Sequence, residues 1–276
     1  MEFYQSFWLG LTQGLTEFIP VSSSGHLEIV QEIMGGRSAD FHLFLEFINL
    51  GTLLALLFFY RKRIVQICRD IFVKHNYKLL VNIIITTVPA VLAGLLLSDI
   101  IESNSFFSNM ITIAVAMAVI GVLMVTIDKL PKMKKVKDEN HLDKKRALYI
   151  GLAQCCALIP GTSRSGSTIV AGRLTGMDSE SAANYSFLAS IPIMLGVMCK
   201  QLISSSSRAY IAANWQMLLI SNLIAFVSGL AAIYFVMKFL KKDGSLQIFG
   251  WYRIALATIV IIFQLIKWYN NRVLTI

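Results

Sequence analysis

Long apolar runs constrain this chain more than any other feature of its sequence. Several of them reach about 20 residues, the length of helix that crosses the hydrocarbon core of a bilayer. Hydrophobic residues make up 56% of the chain and charged residues 15%, which is atypical of a soluble domain. We therefore predict an all-α, polytopic membrane protein, a single integral membrane domain over residues 1–276. Its six predicted transmembrane helices lie at residues 41–60, 79–97, 107–127, 183–203, 217–237 and 249–268.

Two further apolar stretches, residues 7–34 and 147–175, are interrupted mid-way by proline, glycine and clustered hydroxyl side chains. Irregular backbone is tolerated at membrane depth only where it is buried in protein or lines a wet cavity. We therefore predict two re-entrant helical hairpins whose turns face each other across such a cavity.

The distribution of basic residues predicts the orientation of the chain. Short cytoplasmic loops collect lysine and arginine, and these residues are concentrated in three predicted loops, at residues 61–78, 128–146 and 238–253. If those three loops are cytoplasmic, the six spans can cross the membrane in alternating directions only if each hairpin returns to the side from which it entered. Both termini are then outside, and the halves, about residues 1–130 and 145–276, form an inverted-topology repeat. Membrane orientation also accounts for the net charge of +9, so no nucleic-acid partner is predicted.

The two hairpins have related sequences. GLTQGLTEFIPVSSSGHLEIV at residues 10–30 resembles GLAQCCALIPGTSRSGSTIV at residues 151–170. Gly-Leu, Gln, Ile-Pro, Ser and Ile-Val recur in the same order. This similarity agrees with the charge topology and supports a duplicated unit.

The first hairpin carries groups suited to acid-base and nucleophilic chemistry. Gln13 and Glu17 are four residues apart and share one helical face. A carboxylate within the membrane is costly, so Glu17 needs a partner. Ser23 and Ser24 offer hydroxyl groups beside His26, whose side chain titrates near neutral pH.

The second hairpin is suited to binding an anion. Its turn, PGTSRSGST, is rich in small residues and precedes a helix start, where backbone N–H groups and the helix dipole favour phosphate. Gly161 and Gly166 permit close approach, and Arg164 supplies a planar donor fork that matches phosphate oxygens. Most of the serines in both turns are predicted to be structural, and only one need be a nucleophile; the serines are Ser22, Ser23, Ser24, Ser163, Ser165 and Ser167. The two turns together predict one phosphate-handling site.

Both motifs resemble those of a known family. QGLTEFIPVSSSGH at residues 13–26 and PGTSRSG at residues 160–166 are similar to EGLTEFxPVSSTGH and PGxSRSG of the bacitracin-resistance type of undecaprenyl-diphosphate phosphatase. The resemblance extends over the whole chain length and topology. It implies a bacterial inner-membrane enzyme that opens to the outer face. Such an enzyme hydrolyses undecaprenyl diphosphate to the monophosphate and inorganic phosphate, recycling the lipid carrier for cell-wall synthesis.

The resemblance also implies roles for individual residues and a cofactor. The implied catalytic residues are Glu17, Ser23, His26 and Arg164, and the implied substrate-binding residues are Gln13, Ser24, Gly161, Ser163, Ser165 and Gly166. A divalent cation, Mg²⁺ or Ca²⁺, would be held by Glu17 and Gln13. Many family members have Glu where this chain has Gln13, and most have Thr where it has Ser24. A neutral amide can bind a metal but adds no charge, which predicts either weaker metal affinity or a Gln13 that only orients Glu17.

Several alternatives stay open at this point. His26 is expected to activate either Ser23 Oγ or a water against the terminal phosphorus. A secondary transporter or lipid flippase is the rival function, because inverted repeats with broken helices are a transporter architecture. The sequence leaves open the role of Glu46, the metal, the preferred prenyl length and whether the chain forms a homodimer.

Overall fold

The computed structural model describes residues 3–35, 41–242 and 244–273, and these residues form helices and connecting turns without a strand. The all-α prediction is confirmed for them. The α-helices are α1 (Phe3–Phe18), α2 (Ser23–Ile33), α3 (Phe41–Phe59), α4 (Arg61–Phe72), α5 (Lys78–Ser103), α6 (Met110–Thr126), α7 (Lys144–Cys155), α8 (Arg164–Leu174), α9 (Ser179–Ile203), α10 (Ser205–Phe239) and α11 (Ser245–Val273).

Five of these helices are long and apolar enough to cross a membrane, as expected of a multi-pass membrane protein. They are Phe41–Phe59, Lys78–Ile101, Ser179–Ile203, Ser205–Phe239 and Ser245–Arg272. The span predicted at residues 107–127 corresponds to the apolar helix Met110–Thr126, which has only 17 residues. The span predicted at residues 217–237 is part of a longer helix that already begins at Ser205.

The two interrupted stretches are each broken beside their proline, as predicted. The first break separates α1 from α2, and the second separates α7 from α8. Ser22 and Ser163 precede the second helix of each pair with φ angles of 78° and 72°, in the left-handed region that non-glycine residues rarely adopt. Each serine hydroxyl accepts the backbone N–H three residues on, from Gly25 or Gly166, and so caps the helix.

Small residues let the hairpin helices approach their neighbours at backbone distance. A Cβ added at Gly10 of α1 would lie 2.5 Å from the carbonyl oxygen of Ser221 in α10. A Cβ added at Gly151 of α7 would lie 2.7 Å from the carbonyl oxygen of Thr86 in α5. Each hairpin is therefore packed closely against one long helix from the other half of the sequence.

We expect Gly10→Ala to destabilise the protein by about 1–3 kcal/mol, because the added methyl group meets the backbone of α10, which cannot rotate away. Gly196→Ala is the matched control, since a Cβ there has no neighbour within 4 Å. The measurement is the midpoint of thermal unfolding of the purified protein in detergent. An equal change for both variants would contradict the close packing of α1 on α10.

Candidate active site

An ion pair joins the two turns. Arg164, the first residue of α8, donates from Nη2 to Oε1 of Glu17 in α1 over 2.5 Å. The two side chains are 19% and 12% exposed, so the pair is largely shielded from solvent. Glu17 thus has the partner that its position in an apolar stretch requires, and that partner comes from the other hairpin.

Two further side chains donate to the same carboxylate. Ser23 Oγ lies 2.7 Å from Glu17 Oε2, and Gln13 Nε2 lies 3.1 Å from the same oxygen. Gln13 Nε2 also donates to Asn49 Oδ1 of α3 over 2.7 Å. Both amide hydrogens of Gln13 are therefore engaged, and the amide orients Glu17. Asn49 lies inside a predicted span and was missed by the sequence analysis, although a lone amide in such a run is a signal for a buried polar contact.

His26 lies beside this cluster but is bonded elsewhere. Its Nδ1 is 2.7 Å from the carbonyl oxygen of Ser22. A carbonyl can only accept, so in the neutral ring Nδ1 carries the proton and Nε2 has the free lone pair. Nε2 lies 2.7 Å from the hydroxyl of Tyr252 in α11, which therefore donates to it, and the two rings stack. Among the described contacts His26 makes no hydrogen bond to Ser23, the hydroxyl it was expected to activate.

The other serines of the turns support the backbone. Ser24 Oγ accepts from Gly161 N over 3.3 Å and thereby joins the two turns, and Ser163 Oγ accepts from Gly166 N. Ser165 Oγ donates to the carbonyl oxygen of Glu17 over 3.4 Å. Ser23 differs from them because its hydroxyl bonds to a carboxylate. It is the one serine of the turns placed for proton transfer to an acid.

Arg253 corrects one expectation from the charge pattern, which placed it in a cytoplasmic loop at residues 238–253. It lies in α11 and is fully buried. Its guanidinium donates to the carbonyl oxygens of Pro20 in the first turn and of Gly161 and Thr162 in the second. It also donates to the carbonyl oxygen of Met117 in α6. Counting basic residues cannot distinguish a loop from a helix interior. The apolar run that follows Arg253 was a sign that this residue lies within a helix.

Arg253 therefore does two things at the site. It satisfies backbone carbonyls that the helix breaks leave without helical partners, a strict requirement in an apolar environment. It also holds a permanent positive charge directly behind both turns. The two positive charges of Arg253 and Arg164 exceed the single negative charge of Glu17. The site therefore attracts an anion.

The side chains around Glu17 fit a hard divalent cation in part. Carboxylate, amide and hydroxyl oxygens are the ligands that Mg²⁺ and Ca²⁺ prefer. However, in the part of the chain that the structure describes, no three or more His, Cys, Asp or Glu side chains are grouped so that they could hold a metal ion. Gln13 also turns its nitrogen toward Glu17. A cation fits here only if the Gln13 amide rotates and phosphate oxygens of a bound substrate complete the coordination.

Fold and site together define a helical multi-pass membrane protein with an anion-attracting polar site between two broken helices. Comparison with known proteins agrees with this class. The family model described as "Bacitracin resistance protein BacA" matches residues 6–259. The chain belongs to this family.

The chain is similar to curated relatives over nearly its whole length. It is 36% identical to Undecaprenyl-diphosphatase 1 of Clostridioides difficile over 266 residues, which cover 95% of this chain and 96% of the relative. It is also 36% identical to Undecaprenyl-diphosphatase of Marinobacter nauticus, over 94% of this chain and 98% of the relative. With Undecaprenyl-diphosphatase of Pseudomonas paraeruginosa the identity is 34%, over 96% of each chain.

We expect Arg253→Lys to destabilise the protein although the charge is retained. A lysine ammonium cannot bond four separated carbonyls at once, and each buried acceptor left without a donor costs about 1–3 kcal/mol. Thermal unfolding in detergent measures the loss, and Arg208→Lys, at an exposed arginine outside the site, is the control. Equal unfolding midpoints for the two variants would show that Arg253 does not support the turns.

Proposed function

We propose that this protein hydrolyses undecaprenyl diphosphate to undecaprenyl monophosphate and inorganic phosphate, recycling the lipid carrier for cell-wall synthesis. Family membership and the names of the relatives support this substrate. The structural observation that carries the proposal is the Glu17–Arg164 ion pair with Ser23 bonded to the same carboxylate. An acid, a hydroxyl and a fixed cation then converge at one point of a membrane protein.

Binding of the diphosphate is the first step of the proposed reaction. Helices α2 and α8 both begin at the site, so their free N–H groups and positive dipole ends face the phosphates. Arg164 uses one nitrogen on Glu17 and keeps other donors of its fork for phosphate oxygens. The charge of Arg253 behind the turns adds to this field. These groups favour the charge that builds on the phosphoryl oxygens during transfer.

Ser23 is the nucleophile favoured by the contacts. Its Oγ attacks the terminal phosphorus, its proton passes to Glu17, and the bond to the bridging oxygen breaks, so undecaprenyl monophosphate leaves with the electron pair. Water then hydrolyses the phosphoserine and restores Ser23. His26 would activate that water through Nε2, the nitrogen that accepts from Tyr252 in this structure, and the Tyr252 hydroxyl would give way to the water. In the alternative route Ser23 and Glu17 orient a water that attacks directly.

A divalent cation, Mg²⁺ or Ca²⁺, is part of the proposal. Glu17 and Gln13 would hold it together with diphosphate oxygens, where it would neutralise phosphate charge. The neutral amide of Gln13 predicts an affinity that depends on bound substrate.

We also propose that six spans and two re-entrant hairpins form an inverted-topology repeat, with the halves at about residues 1–130 and 145–276. Matching features of the halves support this: Ser22 and Ser163 share one unusual conformation and cap, and Gly10 and Gly151 make equivalent close contacts. Packing is reciprocal as well, since α1 packs on α10 and α7 packs on α5. The basic loops then face the cytoplasm of a bacterial cell, and both termini and the opening of the site face outward. A homodimer stays a prediction.

Phosphate release from undecaprenyl diphosphate by purified protein in detergent tests the function. We expect Arg164→Ala, Glu17→Gln and Ser23→Ala each to lower kcat by about 10²–10⁴-fold, because each removes a group that acts on the developing charge or the attacking oxygen. The controls Arg208→Ala and Ser206→Ala, at exposed positions outside the site, should keep wild-type rates. Unchanged phosphate release in the three site variants would show that these residues do not form the active site. A wild-type protein that moves the lipid across the membrane without releasing phosphate would favour a transporter.

Rapid acid quenching of the wild type with substrate should trap phosphate on Ser23, detectable by mass spectrometry of the peptide. The matched sample is Ser165→Ala, which retains Ser23 and should give the same adduct. Absence of the adduct, together with substantial turnover by Ser23→Ala, would support direct water attack instead.

Tyr252→Phe should lower kcat by about 3- to 10-fold, since it removes the hydrogen bond to His26 Nε2 and keeps the stacked ring. Tyr234→Phe, at an exposed tyrosine of α10, is the control. Phosphate-release kinetics measure both, and no difference between them would show that the Tyr252 hydroxyl does not support His26.

A further inference from the structure

Helix α4 differs from the other connecting segments because it has one apolar and one basic face. Ile64, Ile67, Cys68 and Ile71 recur at the spacing of one helical face, and Lys62 and Arg69 lie on the opposite face. None of its residues is buried. Tyr60 interrupts the helix between α3 and α4, so α4 begins where the apolar span Phe41–Phe59 ends. This position is that of a helix at the membrane surface.

The apolar face of α4 borders a cavity, and Ile64 and Ile67 on this face also pack against the hydrophobic core. The cavity has a volume of about 330 Å³ and is bounded by α4, α5 and α9. Its lining is almost entirely apolar and includes Ile67, Ile84, Leu188 and Leu195. Ile84 is 50% exposed and Leu195 is 43% exposed, so the cavity opens sideways toward the surroundings of the helices. For a multi-pass membrane protein those surroundings are acyl chains.

The basic face of α4 carries two cations without a protein partner. Lys62 and Arg69 are seven residues apart, two helical turns along one side, and neither side chain makes an ion pair or hydrogen bond within the described structure. Their neighbours differ, because Lys74 pairs with Asp70 over 2.7 Å and Arg63 pairs with Glu139 over 3.0 Å. Lysine and arginine stems are long enough to reach from a helix to the phosphate level of a leaflet.

We propose that this groove is a binding site for an anionic phospholipid, separate from the catalytic site. One acyl chain fills the cavity beneath α4, and the phosphate head group binds Lys62 and Arg69. Apolar burial supplies affinity, and the two cations supply selectivity for anionic lipid. In the proposed orientation the site lies in the cytoplasmic leaflet. The unpaired charge favours this occupant over a second copy of the chain, whose own loops on this side are basic.

Native mass spectrometry of the full chain tests whether the site selects an anionic head group. The protein is titrated with phosphatidylglycerol or phosphatidylcholine that carry identical acyl chains. We expect the wild type to bind phosphatidylglycerol about 10- to 30-fold more tightly, as two interfacial cations predict. The variant Lys62→Gln/Arg69→Gln should lose this preference. The control Lys135→Gln/Lys137→Gln removes the same charge from exposed lysines far along the chain and should retain it.

Leu195→Trp tests the groove, because the larger side chain fills the cavity and should lower the affinity for both lipids. Val119→Trp, at an exposed position of α6 outside the groove, is the control. Equal binding of the two lipids by the wild type would overturn the proposal. Unchanged lipid binding by Lys62→Gln/Arg69→Gln or by Leu195→Trp would also overturn it. So would a Leu195→Trp variant that loses a dimeric state of the chain while its lipid binding stays the same. Phosphate release does not enter this measurement, so its outcome is independent of the proposed hydrolysis.

Discussion

A largely buried ion pair between two helix breaks is the interaction on which the site depends. The charges of Glu17 and Arg164 would each be costly in apolar surroundings, because a desolvated ion without a partner costs several kcal/mol. Their mutual contact offsets this cost only if both turns reach the same point. Close glycine contacts hold the first helix of each hairpin against α10 or α5, and so the packing of the long helices helps to position the two turns.

The two helix breaks contribute to the site because they leave backbone N–H and carbonyl groups without helical partners. Each break frees N–H groups at the start of α2 or α8, which can bind an anion, and frees carbonyls, which need donors. Arg253 satisfies the carbonyls of both turns at once. The same side chain thus allows irregular backbone within a membrane protein and adds positive charge where a diphosphate would bind.

The sequence predicted the helical membrane class, the two breaks and a partner for Glu17, because each follows from a local rule: apolar length, proline and glycine, and the cost of a lone carboxylate. The partners of those groups were harder to predict. Tyr252 contacts His26 across 226 residues of sequence, and neither periodicity nor spacing indicates such a contact. Arg253 was misplaced because charge counting ignores helix boundaries. The left-handed conformation of Ser22 and Ser163 has no signature in residue type.

A double-mutant cycle on Glu17 and Arg164 tests the central claim most directly. Phosphate release would be measured for Glu17→Gln, Arg164→Gln and the double variant. If the two side chains act as one unit, the double variant will be no slower than the slower single variant, within about threefold. Rate losses that multiply in the double variant would show that Glu17 and Arg164 act independently and would contradict a site built on their contact.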